Sequence, residues 1–124
     1  MTGMPTLSNP KRGEIWLVGL NPTRGQEIQK TRPAIIVSSD LFNSISLRIA
    51  IPVTSWQSKF QNQPFMIKII ADSRNGLDQD SAGNVLQVRS LSTKRFVKKL
   101  GQTTSAILQE LLIGLAICTD YPEN

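Results

Sequence analysis

The chain has 124 residues, 40% of them hydrophobic, with 14 Lys and Arg against 9 Asp and Glu for a formal net charge of +5. That length suits one domain with its own core, and no apolar run approaches the roughly 20 residues that cross a bilayer as a helix. The sequence holds no histidine and a single cysteine, Cys118, so His-dependent acid–base chemistry, a His-activated nucleophile, His-ligated metal and an internal disulfide are all excluded.

Residues 1–10 are polar, contain Pro and Gly, and lack the apolar stretch of a secretory signal. They are expected to form a disordered lead-in to one domain at 11–120, with the cytoplasm as the expected location. The apolar run at 14–20 predicts a first strand, stopped by Asn21-Pro22-Thr23-Arg24-Gly25. Residues 34–39 are β-branched and apolar and predict a second, central strand; 48–53 predict a third that runs into Thr54-Ser55. The polar stretch 56–64 reads as a mobile loop before a fourth strand at 65–70. Asn75-Gly76 and Ala82-Gly83-Asn84 mark turns, 85–89 predicts a fifth strand and 95–100 a sixth.

The tail changes period. Ile107, Leu111 and Leu115 are spaced by four, as are Leu108, Leu112 and Ala116, which predicts one helix of about four turns. Thr103, Thr104 and Ser105 are its candidate caps, and Gly114 is a weak point where a neighbour can approach. The expected fold class is mainly β, a compact barrel of short strands with a C-terminal α-helix. Cys118 falls in the apolar helical stretch and reads as a small buried hydrophobe.

Two features carry chemistry. Arg89, Lys94, Arg95, Lys98 and Lys99 fall between residues 85 and 101 with no acid among them; the readings are an anionic partner or a solvated charged face. Upstream, Gly25-Gln26-Glu27-Ile28-Gln29-Lys30-Thr31-Arg32-Pro33 leads straight into the second strand. Pro33 biases Arg32 toward an extended backbone, which aims its guanidinium from a strand mouth, a good position for binding phosphate. Glu27 is a candidate base or the ion-pair partner of Arg32. Trp56, Phe60 and Phe65 flank the polar loop and offer stacking faces for bases, with core packing the simpler reading for Phe65; Lys59 and Lys68 offer charges for a nucleic-acid backbone.

In order along the chain, Lys11-Arg12-Gly13-Glu14-Ile15-Trp16, Asn21-Pro22-Thr23-Arg24-Gly25-Gln26-Glu27, Lys30-Thr31-Arg32-Pro33-Ala34-Ile35-Ile36-Val37-Ser38, Ile51-Pro52-Val53-Thr54-Ser55 and Val85-Leu86-Gln87-Val88-Arg89-Ser90-Leu91 together resemble the MazF/PemK family of toxin endoribonucleases. The resemblance runs over about residues 11–115. It implies an SH3-like β-barrel that forms a homodimer, metal-independent and cofactor-free cleavage of single-stranded RNA at short sequences, and inhibition by a cognate antitoxin with an acidic tail. It further implies that Arg32 is the catalytic arginine, Thr54 the catalytic hydroxyl and Glu27 the loop acid. Gln87 and Arg89 are then expected to line the RNA groove, with Lys30, Thr31, Ser55, Trp56 and Lys59 as further RNA contacts. Leu86 stands where many relatives carry an acid, and Thr31 where some carry a histidine.

Two other readings fit the same residues. One is a toxin of this fold that binds and poisons a DNA topoisomerase; the other is an RNA-binding barrel without turnover. The end of the chain, Cys118-Thr119-Asp120-Tyr121-Pro122-Glu123-Asn124, gives no clear match to the first.

Overall fold

A computed structural model describes residues 9–20 and 31–123. Seven strands and one helix follow in order: β1 (Glu14–Gly19), β2 (Thr31–Ile36), β3 (Leu47–Ser55), β4 (Met66–Ile69), β5 (Ser81–Asn84), β6 (Arg89–Ser92), β7 (Phe96–Gln102) and α1 (Ser105–Cys118). All pairings are antiparallel, in the order β4-β5-β3-β2-β1-β7. Strand β3 is long enough to hold β6 against its first half and β5 against its second. The expected mainly β fold with one C-terminal helix is what the chain adopts. Among the described residues no pairing joins β4 to β7, so the sheet is open at its ends and the SH3-like description applies loosely.

The run Ala34-Ile35-Ile36-Val37 is apolar without alternation because both faces of β2 are covered. Ile35 lies opposite Ile15 on β1 and Ile51 on β3, and these three share a core with Val53, Ile69, Val85, Leu108 and Leu111. Ala34 and Ile36 point the other way into a second cluster with Val18, Ala50, Leu91 and Phe96. A fully buried Ile stabilises the fold by about 1.5–3 kcal/mol relative to an exposed one, so β2 is an anchor of the domain.

Helix α1 starts where expected. Thr104 is the cap, its Oγ1 accepting from Ile107 N at 3.2 Å. Its apolar stripe puts Leu108, Leu111 and Gly114 against the sheet. At Gly114 a Cβ would lie 3.3 Å from Val85 and 3.4 Å from Ile67, the close approach anticipated from sequence.

Two local structures differ from expectation. The stretch 85–89 is not one strand: β5 comes earlier, in Ser81-Ala82-Gly83-Asn84, then Val85–Gln87 form a 3-10 turn and β6 begins at Arg89. A residue larger than glycine at 83 would meet Leu111 Cδ2 at 2.7 Å, so α1 lies directly on that strand. The polar stretch after β3 carries a 3-10 turn at Ser58–Phe60, which buries Phe60 with Met66 and Ala82 in a third cluster. Phe60 therefore fixes this connection to the sheet.

Candidate active site

Arg32 is the second residue of β2 and Thr54 the eighth of β3. The β2–β3 register runs Ile36↔Ala50, Ile35↔Ile51, Ala34↔Pro52; carried two residues further it sets Arg32 opposite Thr54. The guanidinium Nη1 donates to Thr54 Oγ1 at 3.4 Å, a long bond between two half-buried side chains. Both positions are held by rigid elements. Arg32 pairs on its other side with Val18, and Thr54 with Ala82 on β5. Two residues 22 apart in sequence are thus presented together by strand register alone.

The pair borders a cavity of about 600 Å³. Lys59, Gln87 and Arg89 line it, and Phe60, Phe65 and Met66 supply apolar and aromatic wall. Gln63 and Asn84 add two amides that the sequence reading had not singled out; Asn84 Oδ1 is buried without a hydrogen-bond partner. Three cations, Arg32, Lys59 and Arg89, and no carboxylate face this space among the described residues. Cationic groups beside aromatic faces form an environment suited to a phosphate and an unstacked base.

The other expected site residues are placed differently. Ser55 lines a second, smaller cavity on the same pair and accepts from Gln79 Nε2 at 2.6 Å. Trp56 lines neither cavity; it packs edge-on to Phe60 at 5.8 Å, with Lys68 Nζ 5.0 Å over its ring. Thr31 is exposed at the start of β2 and borders neither cavity. Glu27 and Lys30 lie outside the described residues. Leu86, in the position of the relatives' acid, is exposed and lines neither cavity. No group of three or more His, Cys, Asp or Glu able to hold a metal ion occurs among the described residues.

The model of the PemK-like, MazF-like toxins of type II toxin-antitoxin systems matches residues 11–119. The chain belongs to this family. It is 36% identical over 116 residues to endoribonuclease MazF9 of Mycobacterium tuberculosis, covering 89% of this chain and 96% of that protein. It is equally 36% identical over 109 residues to endoribonuclease PemK of Escherichia coli, covering 85% and 78%. The fold is shared with MazF in a MazE–MazF structure from Deinococcus radiodurans, with a TM-score of 0.75 at 24% identity over 92% of this chain and 98% of that one. A mycobacterial endoribonuclease solved in complex with its cognate antitoxin gives a TM-score of 0.71 at 21% identity, covering 93% and 99%. Within this MazF/PemK chain, Arg32 and Thr54 are the polar side chains shared by both cavities.

Proposed function

We propose that this protein is a sequence-selective endoribonuclease toxin that cleaves single-stranded RNA by attack of the 2′-hydroxyl on the adjacent phosphorus. The reading rests above all on the apposition of Arg32 and Thr54 across the β2–β3 register at the mouth of a cationic cavity. The guanidinium binds the scissile phosphate and stabilises the charge that grows on its oxygens. Thr54 donates to a phosphate oxygen or relays a proton, and Glu27 is the candidate base or orients Arg32. The substrate supplies its own nucleophile, so the step needs neither cofactor nor metal, and DNA, which lacks that hydroxyl, is not cut. The products are a 2′,3′-cyclic phosphate and a 5′-hydroxyl.

Lys59, Gln87 and Arg89 hold the chain in the larger cavity, and Lys30, Thr31, Ser55 and Trp56 complete the proposed RNA surface. A cognate antitoxin with an acidic segment fits the same cations, which makes its binding and that of RNA mutually exclusive. The protein acts in the cytoplasm as a homodimer. An exposed apolar ridge, Leu41, Phe42, Ile45, Leu47 and Ile49, supports self-association.

The test is incubation of wild type and Arg32→Ala with a long single-stranded RNA in EDTA, with the ends mapped. Discrete cuts by the wild type alone, leaving 5′-hydroxyl ends, are expected. Intact RNA across several unrelated sequences overturns the reading in favour of RNA binding without turnover or topoisomerase poisoning.

A further inference from the structure

The Arg32–Thr54 pair has a second hollow beside it. A cavity of about 210 Å³ shares Arg32, Val53 and Thr54 with the larger one and is further lined by Pro33, Ser55, Leu77, Asp78, Gln79 and Ser81. The pair therefore stands between two spaces. A phosphate held there has one nucleoside on each side, and a cleft on each side is what a dinucleotide step requires. The smaller space lies below the roughly 300 Å³ at which drug-sized ligands begin to fit, a size suited to one base.

The two spaces differ in charge. Asp78 is the single carboxylate that lines either of them among the described residues. A carboxylate weakens a groove that only tracks phosphates, because like charges repel. An acceptor-only group does suit a base edge that presents an amino group. Asp78 makes no hydrogen bond or ion pair among the described residues, while the chain on either side of it is pinned. Leu77 is buried, with its N–H on Asn75 Oδ1 at 3.0 Å. Gln79 donates from Nε2 to Ser55 Oγ, and its carbonyl accepts from Ser81 Oγ at 2.8 Å. The Asp80 carbonyl accepts from Trp56 N at 2.9 Å. An acceptor with no partner among the described residues is thus held on a pinned segment at the wall of the cavity.

We propose that the smaller cavity is a base-reading subsite for the nucleotide on one side of the cleaved bond, in which Asp78 accepts from the exocyclic amino group of adenine, cytosine or guanine and thereby selects against uracil. The inference rests on the nuclease reading above and assigns part of its sequence selectivity to a residue that the catalytic step does not use.

The test digests an RNA pool, randomised over a short window, with wild type and Asp78→Asn, and sequences the cut ends. Wild type is expected to disfavour uracil at one position next to the cut. Asp78→Asn adds a donor and is expected to raise uracil there by roughly tenfold, with preferences elsewhere unchanged, an unaltered melting temperature, and the best sequence cut within a few-fold of wild type. Unchanged preference at every position overturns the proposal, as does a uniform loss of cutting on all sequences. If wild type cuts nothing, the nuclease reading fails by itself. Sequencing the RNA bound by each protein then decides the subsite: retained uracil discrimination by Asp78→Asn, or none by wild type, overturns it.

Discussion

Two arginines 16 positions apart show how environment assigns a role to one residue type. Arg48 is 2% exposed, and among the described residues its guanidinium donates only to neutral oxygens: Pro10 O at 2.8 Å, Ile45 O at 2.7 Å, Leu47 O at 2.9 Å, and Asn9 Oδ1 and Asn43 O at 3.3 Å. It is a structural clamp that ties the segment before β1 to the start of β3. Arg48→Met removes all five bonds, including the one to buried Pro10, and is expected to cost about 2–4 kcal/mol in urea unfolding, with cleavage per folded molecule unchanged. Arg32 has the opposite character, half-buried at a cavity with one long bond among the described residues. Arg32→Ala is expected to lower kcat by about 10²–10³-fold without a change in melting temperature, and Arg32→Lys to recover little because a point charge lacks the bidentate fork. Thr54→Val keeps the strand's β-branched shape and removes only the hydroxyl. A fall in kcat of about 10²-fold, restored by Thr54→Ser in single-turnover cleavage, is the outcome that assigns the Oγ1 a role in the chemistry.

At the scale of elements, the decisive packing is α1 on β5. Gly83 sits under Leu111, and a Cβ there would also lie 3.6 Å from Ile51 and 3.7 Å from Ile69. Gly83→Ala is therefore expected to destabilise by about 1–3 kcal/mol through overpacking, and Leu111→Ala is expected to be less costly in that background than in wild type, a coupling that a double-mutant cycle in urea measures. This packing explains which elements were legible in the sequence. Ile15, Ile35 and Ile51 lie in runs whose composition names a strand without help from tertiary structure, and the four-residue spacing from Ile107 to Leu115 names the helix. Ala82-Gly83-Asn84 reads as a turn because its residues are small, yet Gly83 is small because Leu111 of the helix lies on it and Ala82 packs with Phe60 and Met66, facts that exist only in three dimensions. Phe60 reads from the sequence as a stacking face on a polar loop, yet it is buried with Met66 and Ala82. In the candidate site, Arg32 could be placed at a strand mouth because Pro33 follows it, and Thr54 was singled out through the family resemblance; Asp78 and Gln63 were not, since the connections between strands bring them to the cavities, and Asn84 was not, since its strand read as a turn. Strand β1 carries its own pH dependence. Burial pushes the Glu14 carboxyl up, but hydrogen bonds from Trp16 Nε1 and Lys11 N, together with the ion pair to Lys99 at 3.0 Å, outweigh it and hold the carboxyl below its ordinary 4.5. Glu14 is thus easier to ionise folded than unfolded, so its stabilisation is complete above pH about 4.5 and is lost as the pH falls through the lower folded value. Glu14→Gln is expected to flatten the acid limb of stability against pH below that point and to lower stability at neutral pH.

For the whole molecule, charge and apolar surface point to different partners. The cations at the larger cavity suit a polyanion, whereas Leu41, Phe42, Ile45, Leu47 and Ile49 are all exposed within nine residues. Leu47 and Ile49 alternate with buried Arg48 and Ala50, so they share the outward face of β3, across from Ser92 and Ser90 on β6. A monomer leaves this ridge in water at a cost that scales with its apolar area, and a second copy meeting it about a two-fold axis removes that cost from both chains at once. Arg32 and Thr54 lie toward the other end of β3, so substitutions on the ridge leave that pair intact; Arg89, opposite Ala50, is the cavity residue beside the ridge. Leu47→Lys with Ile49→Lys puts four like charges at a two-fold contact of this face. Sedimentation velocity is expected to show a dimer for wild type and a monomer for the double variant, both with the same circular dichroism spectrum. A double variant that sediments as the wild-type dimer would place the interface elsewhere. A monomer that still cuts RNA at the wild-type rate would show that each chain carries a complete site, with the dimer needed for stability or for the antitoxin and not for cleavage.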